Sequence, residues 1–179
     1  MKTKLPAILT IIGILCLITT SFLFWQRITP TRLSFDITET QLANTNANGD
    51  LVPQVLIIEN LNIKLPIIPA QVKMGKWEAS TNGVSHLSSS PIPGEIGNSI
   101  IYGHNWSNLL GNLVNIKPGQ KVSILFNDGS VKNFVVKFTQ IVTPEQTEIL
   151  NPSDDKRITL YTCTSFLDHS RFVATAVIE

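Results

Sequence analysis

The chain has 179 residues, of which 43% are hydrophobic and 15% are charged, and its formal net charge is +1. This length and apolar content are enough for one globular domain with a hydrophobic core. A near-neutral charge excludes the strong basic excess that is typical of nucleic-acid-binding proteins, so no nucleic-acid partner is predicted.

An uncharged apolar segment opens the chain, from Leu5 to Gln26. As a helix with a rise of about 1.5 Å per residue it would span roughly 33 Å, close to the ~30 Å hydrocarbon core of a bilayer. A cleaved signal peptide is the alternative, but it would have a shorter apolar core and a small-residue cleavage site. Residues 1–26 are therefore predicted to be a single-pass membrane anchor, and the positive-inside rule favours a cytoplasmic N-terminus with the remaining chain outside the cell.

Residues 27–50 are rich in Thr and Asn, which predicts a polar linker, and residues 51–179 are predicted to form the folded domain. Helical periodicity is nearly missing from this domain, apart from short turns near 106–113 and 144–150. Short β-branched runs dominate instead: "QVLIIE", "NIKLPIIP", "SIIYGH", "KVSILF", "NFVVKFTQIV", "RITLYTC" and "RFVATAVIE". Asp128-Gly129 between two of these runs predicts a hairpin. Around eight strands predict an all-β fold, and a closed barrel is favoured because it leaves no exposed edges.

Cys163 ends one of these strand-like runs, and its only possible disulfide partner, Cys16, lies in the apolar segment. A lone cysteine in an exported domain is either buried and inert or kept for its reactivity. Taken alone, burial is the favoured interpretation. A nucleophilic thiol needs a nearby base or cation, because a free thiol with a pKa near 8.5 is only slightly ionised at neutral pH. The sequence offers four such neighbours: Arg171, His86, His104 and His169.

Cys163 and Arg171 are predicted to meet across a hairpin. In the first strand, Thr159 and Tyr161 share the face of Cys163, whereas Ile158, Leu160 and Thr162 point the opposite way. The chain returns from Arg171 after the loop "TSFLDHS". Residues that lie opposite each other on paired strands have Cβ atoms about 5 Å apart. Arg171 is therefore expected to reach the region above the thiol.

His104 directly follows the apolar run "NSIIYG", so it is expected at a strand end, with Asn98 and Gly103 as turn residues on either side. His86 lies in the loop-like segment "GVSHLSSSPIPGE", where a structural, hydrogen-bonded histidine is expected. His169 belongs to the loop after the cysteine and is expected to be exposed to solvent.

No metal or other cofactor is predicted. Zinc needs three or four ligands, and paired spacings such as C-x2-C are missing from the sequence. A serine hydrolase is not favoured either, because no G-x-S-x-G motif occurs. The acidic segment between the runs "NFVVKFTQIV" and "RITLYTC" is expected to be a solvated loop rather than a calcium site; its carboxylates are Glu145, Glu148, Asp154 and Asp155.

The same residues lie in motifs that resemble those of the sortases, the cysteine transpeptidases of bacterial cell surfaces. "TLYTC" (159–163) resembles the TLxTC signature, "SRFVA" (170–174) the segment with the family's arginine, and "GVSHLSSSPIPGEIGNSIIYGHNW" (83–106) the segment that ends in its histidine. The resemblance covers roughly 51–179. It implies a closed eight-stranded barrel with the following site residues: His104, Cys163 and Arg171 as catalytic residues, and Thr162 in substrate positioning.

The resemblance also implies a reaction and its partners. Sortases cleave a sorting motif similar to Leu-Pro-x-Thr-Gly through a thioester and pass the acyl group to an amine, such as that of a peptidoglycan precursor or a pilin lysine. The expected location is the cell membrane with an extracellular catalytic domain. The alternative is a catalytically inert surface β-barrel that serves as a binding module. A papain-like hydrolase is disfavoured because its cysteine precedes its histidine, whereas His104 precedes Cys163 here.

Overall fold

The computed structural model describes residues 4–28, 33–35, 51–73, 76–164 and 169–179. Helix α1 (Lys4–Ile28) contains a stretch, Pro6–Trp25, of 20 residues with a mean hydropathy of 2.5. By length and composition this helix can cross a membrane, as the apolar segment predicted. Most of the predicted linker, 27–50, lies outside the described residues.

Ten strands follow the helix: β1 (Pro53–Ile58), β2 (Ile63–Ala70), β3 (Val72–Lys73), β4 (Lys76–Trp77), β5 (Val84–Leu87), β6 (Gly97–Gly103), β7 (Lys121–Phe126), β8 (Val131–Val142), β9 (Lys156–Thr164) and β10 (Ser170–Ile178). Eight of them close into a barrel in the order β1-β2-β5-β6-β9-β10-β8-β7, and β3 pairs with β4 in a separate two-stranded sheet. The prediction of a closed eight-stranded barrel is confirmed. Short 3₁₀ helices at Glu59–Leu61, Gly111–Asn115 and Thr147–Leu150 join the strands.

The barrel has an apolar interior and an apolar patch on its outer face. Alternating residues of all eight barrel strands fill the interior, among them Leu160 of β9 and Ala174 of β10. The intervening residues of β6, β9 and β10 point outward and form a second buried cluster, which contains Tyr102, Tyr161 and Cys163. The period of two in these strands places Leu160 and Cys163 on opposite faces of β9, as the sequence predicted, and the structure shows that the face of Cys163 is the outer one.

The predicted hairpin at Asp128-Gly129 is confirmed between β7 and β8. Gly129 has a φ of +81°, a left-handed conformation that glycine adopts without steric cost. The carboxylate of Asp128 accepts hydrogen bonds from the Ser130 N–H at 2.9 Å and from the Ser130 hydroxyl at 2.6 Å. The side chain thus closes the turn that the dipeptide predicted.

Asn98 lies inside β6 and not in a turn, so its sequence interpretation was wrong. Its buried amide donates to the carbonyls of Ile149 at 2.9 Å and Asn151 at 3.2 Å, and its oxygen accepts from the Thr159 hydroxyl at 2.7 Å. These long-range bonds override the local turn preference of asparagine. They also attach the connection between β8 and β9 to the barrel wall.

Asn98→Ala is expected to lower the free energy of unfolding by about 1–3 kcal/mol, because it leaves the buried hydroxyl of Thr159 and two carbonyls at the barrel wall without their partner. Hydrogen exchange at the amides of Thr147–Leu150 should accelerate, because the bonds that hold this turn are lost. Both are measured on the full chain in detergent micelles. The matched control is Asn112→Ala, which removes an exposed side chain that donates to Leu61 O at 3.0 Å and accepts from the amide of Asn115 at 2.6 Å. Equal effects in the two variants would contradict the anchoring role of Asn98.

Candidate active site

Three candidate residues meet at one rim of the barrel. Antiparallel pairing of β9 and β10 sets Arg171 directly opposite Cys163. Parallel pairing of β6 and β9 sets Gly103 beside Thr162, so the next residues in each strand direction are His104 and Cys163. The hairpin prediction for the cysteine and arginine is confirmed by this register, and the histidine arrives from the strand on the other side.

Thr162 connects the two strands at this rim. Its hydroxyl is completely buried and donates to the carbonyl of Gly103 at 2.8 Å. The side chain lies on the opposite face of β9 from Cys163, as alternation requires. The bond fixes the end of β6 against β9, immediately before His104 and Cys163. Thr162 therefore contacts the site indirectly, through the backbone of Gly103.

His104 is held between the barrel and an aromatic ring. The imidazole is 4% exposed, and the indole of Trp106 stacks on it with centroids 4.6 Å apart and planes 12° apart. Stacking on the indole fixes the orientation of the imidazole ring. Sequence analysis did not assign Trp106 to the site, although it follows the histidine by only two residues in "GHNW".

Arg171 is a nearly buried cation on the outer face, with 3% of its surface exposed. Its guanidinium donates to the carbonyls of Ser34 at 3.1 Å and of Ser170 at 3.2 Å. It also lies over the ring of Phe35, 5.9 Å from the centroid. A guanidinium in this position presents a charged, planar set of donors to carbonyl oxygens.

Two tyrosines form the floor of the outer face below Cys163. Tyr102 and Tyr161 stack with centroids 5.2 Å apart and planes 10° apart. Burial raises the pKa of both phenols, and for Tyr161 the neighbouring Tyr102 and Cys163 raise the pKa further, whereas Arg171 lowers it. Both hydroxyls therefore stay neutral at ordinary pH and act as donors, Tyr161 to the carbonyl of Leu33 at 3.0 Å.

Leu33–Phe35, from the predicted linker, lies on this outer face and is called here the covering segment. Leu33 is completely buried and Phe35 is 2% exposed, and both belong to the same apolar cluster as Cys163. Cys163 itself is 3% exposed. The thiol is thus buried in an apolar cluster on the outer face, which includes Leu33 and Phe35, and not in the barrel interior. Alternation of Leu33 and Phe35 within a polar stretch was the signal that sequence analysis missed.

The other two histidines do not join the site. His169 is exposed, as expected. His86 points inward from β5, where its Nε2 lies 3.1 Å from the carbonyl of Pro91 and 3.1 Å from the hydroxyl of Ser99. Because a carbonyl only accepts, Nε2 carries the proton. His86 is therefore a buried structural histidine, as its sequence context indicated.

Stability is expected to fall in mild acid because of His86. Burial lowers its pKa below the ordinary value of 6.5, while the bond to Pro91 raises it to a smaller extent. A lowered pKa means that the folded protein binds this proton less well than the unfolded chain. The stabilisation is complete above pH 6.5 and is lost as the pH falls toward the folded-state pKa. Urea unfolding at pH 7, 6 and 5 measures the loss, and His86→Gln should flatten it; an unchanged slope would exclude His86 as the cause.

The described residues contain no group of three or more His, Cys, Asp and Glu side chains that could hold a metal ion. In the acidic connection between β8 and β9, the carboxylate of Asp155 is occupied by Arg157 in two parallel contacts, at 2.5 and 2.7 Å. This hydrogen-bonded pairing holds the pKa of Asp155 below its usual range.

Comparison with known proteins identifies the same architecture. A family model described as the Sortase domain matches residues 56–179. Sortase A of Bacillus anthracis is 24% identical over 134 residues, which are 73% of this chain and 61% of that protein. The chain therefore spans less than two thirds of that relative.

Solved structures agree with this assignment. Sortase A of Corynebacterium diphtheriae superposes with a TM-score of 0.62 and 28% identity, over 72% of this chain and 60% of that one. Sortase C1 of Streptococcus agalactiae, solved in complex with MTSET, superposes with a TM-score of 0.60 and 23% identity, over 70% and 66% of the two chains. Three observations agree: the order of the strands in the barrel, the rim where Cys163, Arg171 and His104 meet, and the family-model match over 56–179. The chain therefore belongs to the sortase family.

Proposed function

We propose that the protein is a membrane-anchored cysteine transpeptidase that cleaves a sorting motif and joins its acyl part to an amine. The observation that carries this proposal is the strand register at the rim, which sets Arg171 opposite Cys163 and brings His104 to the end of the neighbouring strand. A sulfur nucleophile, a proton carrier and an oxyanion stabiliser are the three groups that acyl transfer needs.

The first half of the reaction forms a thioester. The thiolate of Cys163 attacks the carbonyl carbon of the scissile peptide bond, and the carbonyl oxygen takes the negative charge. The carbon–nitrogen bond then breaks, and the imidazolium of His104 gives its proton to the departing amine. The acyl group remains on sulfur, and His104 is left neutral. A cation beside the sulfur favours the thiolate that starts this sequence.

The second half returns the enzyme to its starting state. The incoming amine attacks the thioester carbonyl and gives a proton to the neutral imidazole of His104. The carbon–sulfur bond breaks, so the thiolate and the imidazolium are both restored. No redox partner, metal or cofactor enters this balance, and we propose that none is used.

Arg171 acts through charge and geometry, since a guanidinium cannot serve as a base at ordinary pH. Its donors already bind a backbone carbonyl, that of Ser34. In the reaction they would bind the carbonyl of the donor peptide and stabilise the oxyanion. Thr162 would contribute indirectly, through its bond to the carbonyl of Gly103 at the rim.

The proposed donor is the sorting signal of a surface protein, with a motif similar to Leu-Pro-x-Thr-Gly, cleaved after the threonine. The proposed acceptor is an amine on a peptidoglycan precursor or a pilin lysine. The apolar helix α1, with its 20-residue span from Pro6 to Trp25, supports a single-pass membrane location with the barrel outside the cell. An acceptor amine at the membrane surface would be within reach of a barrel anchored there.

The test uses the full chain in detergent micelles and a fluorogenic peptide library built on the Leu-Pro-x-Thr-Gly pattern, with and without an added amine. We expect an acyl adduct on Cys163 by intact mass, and a new amide product that forms only when the amine is present. Cleavage that never depends on amine would make the protein a hydrolase. Failure of every peptide to acylate Cys163 would overturn the proposal.

An inert binding barrel is the second candidate, because Cys163 is only 3% exposed. Cys163 belongs to the apolar cluster on the outer face of the barrel and not to the interior cluster, which favours a nucleophile that a substrate can approach from outside. Rate measurements with a thiol-directed reagent below neutral pH separate the two functions. Fast modification of Cys163 supports a reactive thiolate, and a rate typical of an ordinary thiol supports the binding module.

A further inference from the structure

The chain folds back on itself directly after β6, in a turn that begins at His104 and ends at Gly111 and is called here the rim turn. Its backbone is closed by three hydrogen bonds. Leu110 N–H donates to the carbonyl of His104 at 3.0 Å, and the N–H groups of Leu109 and Gly111 both donate to the carbonyl of Trp106 at 2.9 Å. Leu110 is completely buried in the interior cluster of the barrel, so the turn is anchored in the core.

Gly111 allows the rim turn to be this tight. A Cβ atom added at Gly111 would lie 2.7 Å from the carbonyl oxygens of Asn105 and Trp106. Those oxygens belong to the backbone, so they cannot rotate away as the end of a flexible side chain can. The close approach therefore needs a residue without Cβ, and it fixes the backbone of Trp106 beside the end of β6.

An imidazole at a strand end does not fix its own plane. The χ2 torsion of histidine is broad and roughly two-fold, so a contact on the face of the ring must select the plane. The indole of Trp106 provides this contact for His104, with centroids 4.6 Å apart and planes 12° apart. Aromatic pairs at such separations change the population of the packed arrangement by roughly 2- to 10-fold.

We infer that Trp106, held by the rim turn, is a positioning residue that keeps the imidazole of His104 in one orientation through both proton transfers. This role rests on the proposed function in one respect, that His104 carries the proton. The departing amine takes a proton and the incoming amine returns one beside the same sulfur, so both half-reactions need the ring in the same place. Trp106 acts through the imidazole and is not itself proposed to touch the reacting atoms.

Trp106→Leu is expected to lower kcat for acyl transfer by about 10-fold, because the stacked orientation becomes less populated, while the KM for the peptide stays within about twofold. Trp106→Phe keeps an aromatic face and should recover most of the rate. The measurement uses the full chain in detergent micelles with an active fluorogenic peptide and an added amine, and circular dichroism verifies the barrel.

Trp25→Leu is the matched control for this change, because it removes an indole that is 65% exposed on helix α1 and should leave both constants unaltered. A Trp106→Leu protein with a kcat within twofold of the parent would overturn the inference. A loss of rate that Trp106→Phe does not recover, or one that lies in KM alone, would overturn it as well.

Gly111→Ala tests the rim turn without altering either ring. The new methyl group must displace the carbonyls of Asn105 and Trp106, so the indole should move and kcat should again fall about 10-fold. Gly13→Ala is the control, since a Cβ at this position of α1 has nothing within 4 Å. A folded Gly111→Ala protein with the parent kcat would exclude the turn as the support of Trp106.

Nuclear magnetic resonance of the ¹³C-labelled histidine rings measures the stack without any substrate. The signal of His104 is identified by its loss in His104→Gln. The face of the indole shields a ring stacked on it, so Trp106→Leu and Gly111→Ala should both move this signal downfield, whereas the signals of His86 and His169 should stay in place. A His104 signal that neither variant moves would show that the indole does not hold the imidazole.

The two readouts separate this inference from the proposed function. If the peptide library never acylates Cys163 but both variants move the His104 signal, the proposed function fails and the positioning of the imidazole stands. If the library acylates Cys163 and Trp106→Leu transfers at the parent rate, the proposed function stands and the positioning role fails.

Discussion

Cys163→Ala is expected to abolish acylation and transfer, with a fall in rate of at least about 10⁴-fold, because it removes the sulfur that is proposed to carry the acyl intermediate. The barrel should stay folded. Cys163 belongs to the apolar cluster on the outer face and not to the barrel interior, so replacing its thiol by hydrogen should change the free energy of unfolding by roughly 1 kcal/mol or less. Initial rates with an active fluorogenic peptide and the thermal midpoint by circular dichroism measure the two effects.

Cys16→Ala is the matched control, since it makes the same chemical change at an exposed position of helix α1. Its activity should equal that of the unchanged protein, and only its intact mass should retain the acyl adduct on Cys163. A Cys163→Ala protein that kept a rate within tenfold of the parent would exclude a thioester mechanism.

The barrel and its hairpins follow from local sequence patterns. Alternation of apolar and polar residues identifies strands and predicts which face of the strand each side chain lies on. The sequence therefore predicts that Leu160 and Cys163 lie on opposite sides of β9. Asp128-Gly129 fixed one turn through its conformational preference. Pairing across the last hairpin placed Arg171 near the thiol, because the register of two adjacent strands is set by the loop that joins them.

Local sequence patterns did not predict contacts between residues that are far apart in the chain. Asn98 reads locally as a turn residue, and only its bonds to Ile149, Asn151 and Thr159 explain its place in β6. An apolar residue in a polar stretch indicates burial, but the sequence does not show which residue it packs against. The contact between Phe35 and Tyr161 joins residues more than a hundred positions apart, so no local pattern could predict it.

The two residues that bind the covering segment also lie beside Cys163. Tyr161 holds the covering segment and belongs to the same strand face as the nucleophile. Arg171 binds the segment through Ser34 and faces the nucleophile from the next strand. The guanidinium that binds a backbone carbonyl of the covering segment therefore lies opposite the proposed nucleophile, where the proposed mechanism needs a donor to the carbonyl of the substrate.

Arg171→Lys is expected to lower the rate of acylation by about 10²–10³-fold, the loss that follows removal of one oxyanion donor. Lysine keeps the positive charge but lacks the planar fork that reaches two acceptors in a fixed geometry. The effect should fall on kcat more than on KM, because the oxyanion exists only in the transition state and the intermediate. Pre-steady-state acylation with a saturating fluorogenic peptide measures it.

Arg157→Lys is the control for Arg171→Lys. Arg157 lies at the opposite end of β9 from Cys163 and pairs with Asp155 at the surface. The same chemical change there should leave acylation unaltered, while weakening a two-contact ion pair of a kind that contributes about 1 kcal/mol or less when partly exposed. If Arg171→Lys acylated at nearly the parent rate, the charge alone would suffice and the oxyanion role of the guanidinium fork would be wrong.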